Sequence, residues 1–293
     1  MQYFIQVVVD GVATGAIYGA LALAIVLVNR ATGLINFAQG AMAVMATFVA
    51  FALTRAGVPL IAAALAAFAF AFVLGALLER VVVRRFEGGD PDIAVVATIG
   101  LLVLLTGISA AFFGYEPHPF PSFFPLGTVN LFGVFLSFRS LGTIVILVVA
   151  MVALQVLFRS TKLGLAMRAV ADNPRSSALS GLPVSRLLMI GWGLAAGLGA
   201  LAGILVAPQL FISPGMLDFA LVYALAAAIL GGLDSPVGAV VAAAFIGVVE
   251  NLAGAYIDVI GDDLKIAVPF AVMIVILIVR PQGLFGRKVV VRV

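Results

Sequence analysis

The chain has 293 residues, of which 64% are hydrophobic and only 10% are charged, whereas soluble domains carry about 25% charged residues. This composition excludes a soluble domain and indicates an integral membrane protein whose helices span the bilayer with about 20 apolar residues each. The net charge is +3, and the absence of cysteine excludes disulfides, thiolate metal sites and cysteine nucleophiles.

Nine apolar segments follow one another and predict an all-α polytopic membrane protein with about eight to nine transmembrane helices in a single domain, 1–293. Their approximate bounds are 5–28, 33–54, 58–78, 93–113, 139–158, 187–208, 217–232, 237–256 and 264–280. The second segment starts with the polar stretch GLINFAQG and the seventh is short. Some helices are therefore expected to be broken, which membranes tolerate where the backbone is packed in protein or lines a watery path.

The basic residues give the predicted orientation. When the nine segments alternate in direction, all 16 lysines and arginines except Arg55, Arg139 and Lys265 fall on one side. Basic residues concentrate in cytoplasmic loops, so the N-terminus is predicted outside and the C-terminus inside. On the inner side, ERVVVRRFEGGDPD at 79–92 is predicted to be a hydrated loop, and the last outer loop carries Asp258, Asp262 and Asp263.

Four polar residues stand inside or beside apolar segments and are candidates for a translocation path. Asn36 and Gln39 either line such a path or cap a broken helix. Glu250 and Asn251 interrupt the apolar helix FIGVVENLAGAYI, where a charge costs roughly 2.5–3.5 kcal/mol at the bilayer centre. Either they face the path, or Glu250 is protonated or bonded to a neighbouring helix.

Nothing in the sequence suggests an enzyme, and we expect no catalytic residue, metal or cofactor in this chain. HExxH, GxSxG and GxxxxGK[ST] are all absent, so no ATP site of its own is expected. The single histidine, His118, is expected to be solvated, because a metal site or a catalytic triad needs partners. The pairs Gly193/Gly197 and Gly199/Gly203 are GxxxG spacings typical of close helix packing.

The basic stretch at about 159–186 predicts two short helices. Thr161–Asp172 holds good helix formers, and Asn173-Pro174 then stops one helix and starts another, because Asn is a good N-cap and Pro suits the first helical position. The second helix is predicted over 174–180, with Gly181 closing it. The residues alone leave two alternatives open: a structured loop that contacts another protein, or a juxtamembrane loop whose arginines meet anionic lipid.

This stretch resembles the cytoplasmic coupling segment of the branched-chain amino acid ABC permeases, the LivH-type membrane subunits. The resemblance rests on LGLAMRAVADNP at 163–174, GLINFAQG at 33–40, GGLDSPVGAVVAA at 231–243 and RPQGLFG at 280–286. These pieces stand in the family's order along nearly the whole chain. One position departs, since Ala41 stands where many relatives carry an acidic residue.

The resemblance implies a permease subunit of an ATP-binding-cassette importer that moves branched-chain or other hydrophobic amino acids across a bacterial inner membrane. It implies separate cytoplasmic ATPases that bind the ATP, a second and different permease subunit, and an extracytoplasmic substrate-binding protein. The ATPase-coupling residues it implies are Lys162, Gly164, Arg168, Ala169, Asp172, Asn173, Pro174, Arg175 and Gly181. The alternative is a gradient-driven secondary transporter or channel for small amino acids or amides. That class needs intramembrane ionisable groups, and this chain offers essentially only Glu250.

Overall fold

The computed structural model describes residues 1–86, 91–131, 133–257, 264–265, 267–280 and 283–285. The acidic residues Asp258, Asp262 and Asp263 lie outside the described residues. So do the terminal basic residues Arg287, Lys288 and Arg292.

Each of the nine predicted segments overlaps one helix in the described part of the chain. These helices are α1 (Gln2–Thr32), α2 (Gln39–Arg55), α3 (Leu60–Val81), α4 (Pro91–Phe113), α5 (Phe138–Ser160), α8 (Val184–Leu210), α9 (Asp218–Gly231), α10 (Pro236–Tyr256) and α11 (Ala267–Val279). Two short helices, α6 (Lys162–Asp172) and α7 (Pro174–Leu179), lie between α5 and α8. A short 3-10 turn (Val83–Phe86) follows α3, and an antiparallel hairpin of β1 (Thr128–Leu131) and β2 (Val134–Ser137) precedes α5.

Six of the described helices, α1, α3, α4, α5, α8 and α10, are long and apolar enough to cross a membrane. The helices α2, α9 and α11 are apolar but shorter. An all-α polytopic membrane protein is therefore confirmed. Helix α2 begins at Gln39 rather than at residue 33, because residues 33–38 form an irregular segment in front of it.

The chain divides into two compact units. Unit 1 comprises Met1–Val26, Phe124–Val148 and Phe219–Val293. In it α1 and α10 run antiparallel in close contact: a side chain at Gly11 would meet Val248, one at Gly15 would meet Ala244, and one at Gly247 would clash with Gly11. Such small residues let two helix backbones approach closely inside a membrane.

Unit 2 comprises Leu27–Phe123 and Val149–Asp218, and its helix α8 packs on both α2 and α3. A side chain at Gly193 would meet Phe72, and one at Gly197 would meet Phe68, so α3 runs antiparallel to α8. Side chains at Gly199 and Gly203 would meet α2. The prediction that the α8 glycines serve helix packing is therefore confirmed.

Two predictions about polar residues in unit 2 are wrong. Glu79 belongs to the last turn of α3 and is fully buried rather than part of a hydrated loop. His118 is half-buried rather than solvated: its backbone pairs with Ile212, and its ring stacks on Phe51 at 5.0 Å between ring centroids. Both residues had looked solvated because the burial of Glu79 depends on the packing of α3, and the pairing of His118 with Ile212 joins distant segments.

Candidate functional site

The helix pair α6–α7 has the local structure that the sequence predicts, and both helices have side-chain caps. The Thr161 hydroxyl accepts a hydrogen bond from the backbone N–H of Gly164 at 3.0 Å. Asn173 Oδ1 accepts one from the backbone N–H of Ser176 at 2.9 Å, and Pro174 occupies the first position of α7. Asn173 thus ends α6 and starts α7, so the two helices meet at one extended residue.

One face of α6 is buried and holds the pair in place. Met167 and Val170 are buried, and the Met167 side chain packs against Gly191 of α8. Gly164 faces α5, because a side chain there would clash with the backbone of Leu157 and Phe158. Gly164 therefore allows the close approach of α6 to α5 and does not present a surface of its own.

The opposite face of the pair is open. Leu165, Arg168 and Asp172 follow one another at helical spacing along this exposed side of α6. On α7, Arg175 is exposed and Leu179 is 91% exposed. We call Leu165, Arg168, Asp172, Arg175 and Leu179 the open face.

The remaining residues of the predicted coupling set shape this surface. Lys162 and Pro174 are exposed at the starts of α6 and α7. The carbonyl of Ala169 accepts a hydrogen bond from the Asn173 N–H at 3.0 Å. Gly181 has φ +82°, a left-handed conformation that suits glycine, and it turns the chain after α7 towards α8.

Asn36 and Gln39 lie together in a buried hydrogen-bond network within unit 2. Asn36 Oδ1 accepts from the Ala38 N–H at 3.0 Å, and Asn36 Nδ2 donates to Gln39 Oε1 at 3.3 Å. Gln39 Nε2 donates to the carbonyl of Ala195 in α8 at 2.9 Å. Both side chains are fully buried. Here they hold the irregular segment before α2 and tie it to α8.

Glu250 lies in a second polar cluster, inside unit 1. The Tyr18 hydroxyl of α1 donates to Glu250 Oε2 at 2.9 Å, and the Tyr223 ring of α9 stacks on Tyr18 at 4.6 Å between centroids. The three side chains are buried, and Lys265 is an electrostatic partner of the carboxylate. Asn251 is only half-buried. In this conformation Glu250 links α10 to α1.

Two of the motifs that carry the resemblance meet in unit 1. The backbone N–H of Leu284, in RPQGLFG, donates to the carbonyl of Leu230 at the end of α9 at 2.7 Å. A side chain at Gly283 would meet the backbone of Ile229 and Gly232. In the turn between α9 and α10, the Ser235 hydroxyl accepts from the Gly238 N–H at 3.0 Å and caps α10.

The helices, the capped helix pair and the order of these motifs agree with one family. The family model for "Branched-chain amino acid transport system / permease component" matches residues 7–277. The chain belongs to this family. The resemblance seen in the sequence is thereby confirmed.

Curated relatives match along their whole length. The high-affinity branched-chain amino acid transport system permease protein BraD of Pseudomonas aeruginosa is 30% identical over 100% of this chain and 99% of its own. The permease LivH of Salmonella typhimurium is 30% identical over 99% of this chain and 98% of its own. LivH of Escherichia coli is 29% identical with the same coverage. Such relatives are membrane components of transport systems rather than enzymes, and this permease is a multi-pass membrane protein of the same kind.

Sequence reasoning missed two leucines of the open face. Leu165 and Leu179 are 61% and 91% exposed, although apolar residues of a short amphipathic helix usually turn inwards. A signal was present at Leu165, which shares a helical face with Arg168 and Asp172. Tyr18, which donates to Glu250, and Tyr223, which stacks on Tyr18, were also absent from the predicted site residues.

Proposed function

We propose that this permease is the membrane-spanning subunit of an ATP-driven importer that moves branched-chain or other hydrophobic amino acids into the cytoplasm. Separate ATPase subunits bind the ATP and contact the α6–α7 pair. A second, different permease subunit completes the pathway, and an extracytoplasmic binding protein delivers the substrate. The observation that carries the proposal is the open face, on a helix pair whose other face is anchored to α5 and α8, in a chain of this family.

The proposal includes nine membrane crossings, with the N-terminus outside, the C-terminus inside and the chain in a bacterial inner membrane. Packing within each unit supports the alternation of the crossings, and the distribution of basic residues supplies the side. Alternating crossings require α1 and α10 to be antiparallel, and their glycine contacts agree. They also require α2 to be parallel to α8 and α3 to be antiparallel to it, and both arrangements are observed.

Contacts between the ends of the helices agree with the same alternation, because they join inner ends to inner ends and outer ends to outer ends. In unit 2 the Arg30 guanidinium lies over the Phe158 ring at 5.6 Å, and both residues belong to predicted inner ends. At a predicted outer end, Phe48 of α2 stacks on Phe113 of α4 at 4.4 Å. In unit 1 the outer ends of α1 and α10 bring Tyr3 and Tyr256 to 6.0 Å, and tyrosine is typical of a membrane interface.

The open face has the chemistry of a protein contact. Exposed leucines beside arginines match the usual make-up of interfaces, in which apolar anchors are buried at the centre and charges lie around them. Lipid binding by the arginines alone would not require Leu179 to be 91% exposed. We therefore assign this face to the ATPase rather than to anionic lipid.

Glu250 and Asn251 are the proposed polar groups of the translocation path, and Asn36 and Gln39 support it by fixing the segment before α2. A carboxylate in an apolar helix is costly unless it is bonded, and Tyr18 supplies the bond. A carboxylate inside the membrane suits the ammonium group of an amino acid.

The test is gentle purification of the tagged permease from its native membranes, followed by mass spectrometry and by binding assays on any extracytoplasmic protein that co-purifies. We expect a stoichiometric ATPase, a second permease and a binding protein with affinity for leucine, isoleucine or valine. A permease that purifies alone would contradict the proposal.

A further inference from the structure

The end of α3 carries an ion pair, between the buried Glu79 and an Arg84 side chain that is 30% exposed, that the proposed function does not yet use. Glu79 in the last turn of α3 is fully buried. Arg84, in the 3-10 turn that follows, donates from Nη2 to Glu79 Oε2 at 2.8 Å and from Nε to Oε1 at 3.3 Å. This two-point contact fixes the plane of the guanidinium.

The same guanidinium also reaches α8. Arg84 Nη2 donates to the backbone carbonyl of Ser185 at 3.1 Å. Ser185 is the second residue of α8, which starts directly after the turn that leaves α7. We call these three residues the Glu79–Arg84–Ser185 bracket. It ties the end of α3 to the first turn of α8, where the α6–α7 pair is attached.

The helices around the bracket are closely packed. About one turn before Glu79, a side chain at Gly75 of α3 would meet the Trp192 backbone of α8 at 2.6 Å. On the other side of α8, Gly191 receives the Met167 side chain of α6. Packed atoms therefore connect α6 to α8, and the bracket connects α8 to α3.

Stability alone does not account for this pair. Replacing a buried ion pair by apolar residues of similar volume is often neutral or stabilising, because desolvation offsets the attraction between the charges. Arg84 instead makes a third hydrogen bond, to the Ser185 carbonyl of α8. That bond uses the fixed orientation of the guanidinium, which a lysine does not provide.

We propose that Arg84, oriented by Glu79, is a positioning residue that couples displacement of the α6–α7 helix pair to α3 during ATP-driven transport. The inference rests on the proposed function. It adds a contact that lies outside the ATPase-binding surface and outside the translocation path.

The experiment uses the native complex, purified through the tagged permease and reconstituted in liposomes. Uptake of radiolabelled leucine and release of inorganic phosphate are measured together, and their ratio is the readout. The variants are the apolar double substitution Glu79→Leu with Arg84→Met, and the single substitution Arg84→Lys. Arg80→Met is the matched control, because Arg80 lies in the same turn of α3 as Glu79 but is exposed.

We expect the double variant to assemble and melt close to the wild type, because no buried charge is left unpaired. Its leucine uptake per ATP hydrolysed should fall about 5-fold or more, the lower end of typical coupling between two sites. Arg84→Lys should also lower this ratio, since lysine keeps the charge but cannot make the two-point contact of the guanidinium. Arg80→Met should leave the ratio unchanged.

An unchanged ratio in both Arg84 variants would overturn the inference. So would a double variant that loses uptake and ATP hydrolysis in equal proportion with a lower melting temperature, because that is the result of a purely structural pair. A wild-type complex that takes up no leucine, isoleucine or valine with ATP would overturn the proposed function itself, and the inference with it.

Discussion

Replacing Leu179 by alanine tests the open face most sharply. The side chain is 91% exposed, so it contributes almost nothing to folding, and a surface substitution of this kind changes stability by no more than about 0.5 kcal/mol. If the ATPase covers it, nearly the whole side chain is removed from water on binding. Burial of a leucine stabilises the contact by about 2 kcal/mol. The dissociation constant of the variant should therefore be about 30-fold larger than that of the wild type.

The assay measures dissociation of the ATPase from the purified complex on serial dilution. Leu126→Ala is the matched control: it makes the same chemical change at a residue that is 83% exposed but lies in a predicted outer loop. We expect Leu179→Ala to release the ATPase at about 30-fold higher protein concentration and Leu126→Ala to behave as the wild type. A Leu179→Ala complex with unchanged affinity and normal folding would refute the assignment of this face.

Three further predictions concern the open face, the path and the orientation. Arg168→Glu should leave expression unchanged, because the residue is exposed, while uptake falls at least about tenfold through like-charge repulsion at the contact; normal uptake at normal expression would contradict this. Glu250→Gln keeps an acceptor for Tyr18 but removes the charge, so uptake should fall about 5-fold with little change in melting temperature, and undiminished uptake would remove Glu250 from the path. Because the chain has no cysteine, Ser180→Cys and Leu126→Cys can be labelled singly with a membrane-impermeant maleimide. Only Leu126→Cys should react in cells whose inner membrane is intact, and a reaction of both from one side would disprove the orientation.

The local structure of this permease follows from neighbouring residues and was therefore predictable. Asn173-Pro174 predicts the boundary between α6 and α7, because the cap and the missing proline N–H act within a few residues. The GxxxG spacing in α8 also lies within a few residues, and it predicts close helix packing. Gly11, Gly15 and Gly19 of α1 show the same spacing, and it was a usable signal for the contact with α10.

Contacts between distant segments were not predictable from a single sequence. Tyr18 and Glu250 are 232 residues apart, and nothing local to either residue selects the other. Glu79 is close to Arg84 in sequence, but its burial depends on how α3 packs against α8. The sequence could therefore mark Glu250, Asn36 and Gln39 as polar residues in apolar surroundings, but it left open whether they bond to protein or face a path.

Under the proposed function, this permease moves hydrophobic amino acids only when a separate ATPase drives it. The most direct test is leucine uptake into liposomes that contain either the complete co-purified complex or the permease alone. We expect uptake by the complex when ATP is supplied on the ATPase side together with the binding protein on the other side. We expect no uptake by the permease alone under any ion gradient. Gradient-driven leucine uptake by the permease alone, without ATP, would contradict the proposed function.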